Sequence, residues 1–407
     1  MKKVIRYLQK QAAQQSQAQH RPAGSRSQGK DARSSLASLK RVNSRAETED
    51  YETHGIYETQ NELQKYQVFI PPAGFTAGAT STKYWVIFIH GGAWRDPTIG
   101  AAAFVPTCKQ LLTSPLLTHV AVNIEGYASL DYRLSVHPDY PQDASSLDTF
   151  LMREARHPDH VIGIITGISV LQRKYDFGSR YILVGHSCGA TMALQSVMRL
   201  NEVENRALSW TPPQAILGAH GIYDIPALIR TFSEIPEYRD SVVGAFGEDE
   251  RVWETVSPAH GDWLSSPNAW GADGKTLLVI AHSSKDELVD WHQSELMAQK
   301  VQSVWKEHEL QAPQNERDTQ NVKCLESKVP DRSGNFALAE LQTAHHEVWE
   351  TGWELGRTIA LVLNGLKRLR QNQRPFEGHI QTITRTKLFP AKCHDTWLGS
   401  KASITSS

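Results

Sequence analysis

Tyr84-Trp85-Val86-Ile87-Phe88-Ile89 is an unbroken apolar run, closed by His90-Gly91-Gly92-Ala93-Trp94. A run of this length without alternation predicts a strand covered on both faces, as in the middle of a parallel sheet. Tyr181 to Val184, Ala215 to Gly218 and Thr276 to Ile280 repeat the pattern. Tyr66 to Ile70, just ahead of Pro71-Pro72, reads as an earlier strand, and Ala121 to Ile124 and Ala128 to Leu134 as further strand material. Between the strands the period changes. Val161, Ile164, Ile165, Ile168 and Leu171 recur at helical spacing, as do Ala190, Met192, Ala193, Leu194, Val197, Met198 and Leu200. A final helix is expected from Val348 to Leu369, with Val348, Trp349, Trp353, Ile359 and Leu363 along one side. Strands alternating with helices at this rhythm predict an α/β fold with a doubly wound, mainly parallel sheet.

The pattern also divides the chain. Residues 1–50 are rich in Gln, Ser, Ala and Arg and read as a tail too polar to form a core. Their basic, acid-poor composition also fits an organellar presequence or a protein-binding tail. Residues 51–371 carry the α/β pattern. Within them, 225–272 predict a small helical excursion over the sheet, and 306–336 a polar surface insertion broken by Pro313 and Pro330. Residues 372–407 show no pattern. A formal net charge of −1 over 407 residues gives no electrostatic reason to expect nucleic acid. No stretch approaches the roughly 20 apolar residues of a membrane helix. Four cysteines (Cys108, Cys188, Cys324 and Cys393) form no C-x-x-C pair, so a reducing, cytoplasmic setting is expected, without a structural metal.

The stretch Gly185-His186-Ser187-Cys188-Gly189 joins a predicted strand directly to a predicted helix. A turn that sharp strains the serine backbone and needs glycine two residues either side, because a Cβ would meet the turning chain. The alternative is a glycine-rich turn in a Rossmann-like unit. A serine hydroxyl needs a histidine base, and the base needs a carboxylate to fix its tautomer. Past the strand ending at Ile280, Asp286 is the first choice for that carboxylate, with Glu287 and Asp290 behind it. Before the last helix, His345 is the candidate base and His346 the fallback. Gly91, Gly92 and Ala93 sit where an oxyanion loop belongs, and the Cys188 N–H is a further donor. Trp94 is a candidate to stack on a substrate ring, or else a core tryptophan. Together these residues predict a serine hydrolase needing no cofactor and no metal, since both half-reactions are acyl transfer.

HGGAWRDP (90–97), ASLDYRLS (128–135), ARHPDHV (155–161), RYILVGHSCGAT (180–191), HGIYDIPALI (220–229) and HHEVWETGWE (345–354) together resemble the fungal kynurenine formamidases, arylformamidases of the α/β-hydrolase fold. The resemblance runs from about Tyr66 to Leu369. HGGAW, the elbow and DYRLS also resemble esterases of the hormone-sensitive lipase type; the later blocks favour the formamidases. The resemblance implies hydrolysis of N-formyl-L-kynurenine to L-kynurenine and formate, in tryptophan catabolism towards NAD, by a homodimer acting on a small-molecule substrate. One departure stands out: the family usually carries an acid after the catalytic histidine, where this chain has His346. A broad carboxylesterase and a non-catalytic ligand-binding protein of the same fold are the competing readings.

Overall fold

The run Tyr84–Ile89 lies inside one sheet of the computed structural model, which describes residues 51–58, 60–71, 81–198, 209–262, 276–311, 335–371 and 382–383. Among those residues the strands are β1 (Tyr51–Ile56), β2 (Lys65–Ile70), β3 (Tyr84–Ile89), β4 (Ile124–Leu130), β5 (Tyr181–His186), β6 (Ala215–Ala219), β7 (Leu277–Ser283), β8 (Phe336–Leu341) and β9 (Thr382–Ile383). Their spatial order is β1-β2-β4-β3-β5-β6-β7-β8-β9. β2 pairs antiparallel with both β1 and β4, and every pairing from β4–β3 to β8–β9 is parallel. The main helices are α1 (Val105–Thr113), α2 (Asp159–Tyr175), α3 (Cys188–Gln195), α4 (Ile225–Thr231), α5 (Pro236–Phe246), α6 (Glu250–Val256), α7 (His292–Gln311) and α8 (Trp353–Arg370).

Alternate residues of β3 face two separate cores. Trp85, Ile87 and Ile89 pack with Val161, Ile164, Ile165 and Ile168 of α2. Tyr84, Val86 and Phe88 pack with Leu111 of α1 and with Leu355, Ile359 and Val362 of α8. That two-sided burial is why β3 reads as continuous apolar sequence. Each such side chain contributes roughly 1.5–3 kcal/mol by leaving water. Truncating Ile87 to alanine is therefore expected to cost roughly 2–5 kcal/mol, cavity included.

Several elements differ from the sequence expectation. Ala121 to Asn123 are not strand: Thr118–Ala121 forms a short helix, because Leu117 and Val120, three apart, both point into the core. β4 stops at Leu130 rather than Leu134. There the Asp131 Oδ1 accepts the Ala101 N–H at 2.6 Å and the Asp131 carbonyl accepts the Tyr57 hydroxyl at 2.7 Å, which draws the chain out of the sheet. The final helix is two pieces, Glu347–Glu350 and α8, broken at Gly352 with φ +69, where a Cβ would collide with the backbone of Pro106 and Thr107. The expected insertion is trimmed at both ends, since α7 runs to Gln311 and Phe336 opens β8; 312–334 lie outside the described residues. The expected helical excursion is α4, α5 and α6, and its end, 263–272, lies outside the described residues. α3 ends at Gln195, short of Leu200, which lies outside them too. So do both expected tails, apart from the two residues of β9 beside Leu338 and Ala339. Among the described residues no helix is long and apolar enough to cross a membrane.

Parallel order brings the carboxyl ends of β3, β5, β6, β7 and β8 to one edge of the sheet. The chain leaves those ends at His90, Ser187, His220, Ser284 and Gln342. Open α/β sheets place their ligand sites along that edge.

Candidate active site

Ser187 stands between β5 and α3 with φ 55 and ψ −126, a strained conformation for a residue with a side chain. Its N–H donates to the Ala219 carbonyl at 2.9 Å, which pins the turn to β6. Close approach explains both elbow glycines. A Cβ on Gly185 would strike the Gly189 carbonyl, and one on Gly189 would strike the Ile89 carbonyl of β3. The hydroxyl thus sits at the start of a buried helix, where free N–H groups favour developing negative charge.

Asp286 follows β7 with its side chain fully buried, its Oδ1 accepting the N–H groups of Leu288 and Val289 at 2.9 Å each. The His345 Nδ1 lies 2.9 Å and 3.0 Å from its two oxygens. Burial alone would raise the carboxyl pKa. The charge of His345, its hydrogen bonds and the nearby imidazoles of His220 and His282 outweigh that and hold it well below the usual carboxylate range. An ionised carboxylate only accepts, so His345 carries its proton on Nδ1 and keeps a lone pair on Nε2. The His346 ring lies between those of His345 and Trp349, at 5.3 Å and 5.9 Å, and burial pushes its pKa down to about 3. The two fallback carboxylates are also placed: Glu287 accepts the backbone N–H of His345 at 3.2 Å, and Asp290, whose pKa burial raises, lies beyond the turn.

The loop after β3 closes over the serine. A Cβ on Gly91 would stand 3.1 Å from the Ser187 Cβ, so the bare backbone of the loop faces Ser187. Gly92, Ala93 and Trp94 all have positive φ, at 104, 48 and 62. That rare run is held by Cys188. Its sulfur accepts the Trp94 N–H at 3.3 Å and lies 3.7 Å from the Tyr132 hydroxyl, which also donates to the Gly91 carbonyl at 3.0 Å. Burial raises the thiol pKa to about 11, against hydrogen bonds from Trp94, Tyr132 and the Ala93 N–H. The sulfur is therefore a neutral anchor. The Ala93 N–H leans towards it, whereas no protein acceptor among the described residues takes the N–H of Gly92 or of Cys188. Trp94 is 1% exposed, its ring edge-on to Phe246 at 5.0 Å, so in this conformation it offers no open face for stacking on a substrate.

A shell of histidines surrounds these groups and has no counterpart in the sequence reading. The His186 Nε2 donates to the His345 carbonyl at 2.9 Å. The His220 Nδ1 lies 3.0 Å from Asp286 Oδ2, within ion-pair reach but off the line of a good hydrogen bond. The His282 Nε2 lies 3.4 Å from the same oxygen and donates to the Val289 carbonyl at 2.9 Å. One signal was available: His220, like His186, sits at the carboxyl end of a predicted buried strand. The nitrogens of His186, His220 and His345 are also the group of ligand atoms spaced to approach a common ion.

Residues 86–312 match the family model described as "Alpha/beta hydrolase family". The chain is 35% identical over 318 residues to the kynurenine formamidase-like hydrolase fscH of Fusarium equiseti, covering 77% of this chain and 94% of that one. The chain belongs to the alpha/beta hydrolase family. Within that family it groups with the fungal kynurenine formamidases. The kynurenine formamidase avaC of Aspergillus versicolor is 36% identical over 239 residues, 54% of this chain and 76% of that protein. Among solved structures, carboxyl esterase 2 of Tuber melanosporum aligns with TM-score 0.49 at 13% identity, over 80% of this chain and 88% of that one. As in an alpha/beta hydrolase, strand ends supply every group of this site, and the loops between them set its shape.

Proposed function

We propose that this chain hydrolyses N-formyl-L-kynurenine to L-kynurenine and formate through a formyl-enzyme on Ser187, as a cytoplasmic step of tryptophan breakdown. The observation that carries the reading is the Asp286–His345 contact at 2.9 Å, in a chain that holds Ser187 in a strained elbow at φ 55 and groups with the kynurenine formamidases. Ser187 Oγ attacks the formyl carbon as its proton passes to His345 Nε2. The N–H groups of Cys188 and Gly92 hold the oxyanion that forms, in a site from which water is largely excluded. His345 then returns the proton to the departing aryl amine and the C–N bond breaks. A water molecule gives its proton to the same nitrogen and attacks the formyl ester, and formate leaves with Ser187 restored. Every step is proton transfer or acyl transfer, which the residues present can perform.

The test supplies purified protein and its Ser187→Ala variant with N-formyl-L-kynurenine and, separately, a p-nitrophenyl ester. Kynurenine absorbance that rises fast, is preferred over the ester and is lost in the variant supports the reading. Ester cleavage with negligible kynurenine overturns it in favour of a carboxylesterase. No turnover of either substrate overturns it in favour of a binding protein.

A further inference from the structure

Catalysis on Ser187 uses one imidazole, yet three converge there. The His186 Nε2 faces a carbonyl, which only accepts, so Nε2 carries the proton and Nδ1 keeps a bare lone pair. That Nδ1 is buried without a partner. In His345 the roles are reversed: Nδ1 faces Asp286 and Nε2 has the lone pair. In His220, Nδ1 again lies beside Asp286, and Nε2 is buried without a partner. His186, His220 and His345 are 2%, 0% and 3% exposed, so water does not compensate these nitrogens. One ligand nitrogen from each lies within 4.8 Å of the other two.

The geometry points to a zinc(II) site formed by His186, His220 and His345, whose occupation takes the lone pair that His345 needs as base. Three imidazoles with one open position are a donor set that zinc adopts. Asp286 lies against the Nδ1 of two of them, and the His345 carbonyl takes the far N–H of the third. Such outer partners fix the tautomer and raise the basicity of a metal-binding histidine. The site adjoins Ser187: a Cβ on Gly91 would lie 2.8 Å from the His186 Nδ1 and 3.1 Å from the Ser187 Cβ. At Zn–N distances near 2.0–2.1 Å, tetrahedral ligand atoms sit roughly 3.4 Å apart. The rings must therefore draw in by about an ångström, which suits an ion that comes and goes. Zinc and turnover then exclude each other. Binding stands apart from the formamidase reading; only the loss of turnover rests on it.

The experiment strips the full chain with EDTA, equilibrates it with zinc chloride and counts bound metal by mass spectrometry. The wild type should hold about one more zinc per chain than the double variant His186→Gln/His220→Gln, and melting curves show whether that variant folds. Equal counts in a folded variant overturn the site. If the variant does not fold, cobalt(II) added to wild type decides: an intense tetrahedral visible band supports the site, and the weak octahedral spectrum overturns it. A fluorophosphonate probe then reads Ser187. Labelling slowed by zinc and restored by EDTA supports the shared lone pair, and labelling unchanged in the zinc-loaded chain overturns it. A chain that never labels, with or without zinc, argues against the serine mechanism while the zinc count still decides the site.

Discussion

The His186 Nε2 donates to the carbonyl oxygen of His345 at 2.9 Å, so the residue before Ser187 holds the backbone of the residue that meets Asp286. Their strands, β5 and β8, are separated by β6 and β7. A buried hydrogen bond across that distance sets the base loop against the elbow. Removing its donor leaves a buried carbonyl unsatisfied, at a cost of about 1–3 kcal/mol.

His186→Ala should therefore lower kcat by about 10–100-fold, because small displacements of a catalytic group are expensive, while KM changes little. Steady-state kinetics on N-formyl-L-kynurenine separates the two constants. An unchanged kcat would show that the loop after β8 is held by other contacts.

His345 and His346 are adjacent in sequence but differ in what they touch, and only His345 meets Asp286. His345→Ala is expected to reduce kcat by on the order of 10⁴–10⁶-fold, and Asp286→Asn by about 10⁴-fold, as when the orienting carboxylate of a triad is neutralised. His346→Ala should retain activity within about threefold, because His345 is the neighbour that bonds Asp286. Equal losses in the two histidine variants would remove His345 from the role of base.

The Cys188 sulfur anchors the positive-φ run Gly92–Trp94 through the Trp94 N–H and the Tyr132 hydroxyl. Cys188→Ala removes the acceptor and should cost about tenfold in kcat, less than loss of an oxyanion donor itself. Cys188→Ser keeps a small acceptor and should recover most of the rate. Stopped assays on both variants, with melting curves, distinguish a loosened loop from a loosened fold.

What the chain disclosed before its structure follows from locality. The elbow is a short contiguous motif whose glycines answer to nearby backbone, so Ser187 could be read directly. Asp286 and His345 follow the ends of β7 and β8, and position along the chain was enough to pick out two residues whose side chains the fold brings into contact. β8 itself escaped notice because its start at Phe336 adjoins a polar stretch that hid its short apolar run. β1 was missed for another reason: its sequence YETHGI lacks an apolar alternation, and pairing with β2 supplies the order. The histidine shell belongs to no motif. His186, His220 and His282 meet only because three parallel strands end side by side, and that adjacency is a property of the sheet. The role of the Cys188 side chain was likewise invisible, because its partners lie 94 and 56 residues away.

Buried neutral histidines also predict how the fold responds to acid. His160, on α2, is 1% exposed, its Nε2 3.0 Å from the Ser135 hydroxyl and its ring 6.3 Å from that of Tyr132. Burial first, then the charges of His157 and Arg133, push its pKa down to about 3. The unfolded chain takes up this proton near pH 6.5, and the folded chain refuses it until far lower. The contribution to stability is therefore complete above about pH 6.5 and shrinks as pH falls towards the folded value, by about 2 kcal/mol at pH 5. His220, pushed down to about 4, acts in the same direction. Asp286 does not, because a carboxyl held well below its usual range keeps its contribution throughout pH 5–7 and loses it only in stronger acid. The melting temperature should thus fall from pH 7 to pH 5. In His160→Gln, the amide has no proton to take up, so the protein should start less stable and show a smaller fall over the same interval. Parallel curves for the two proteins would mean that His160 is charged in the fold.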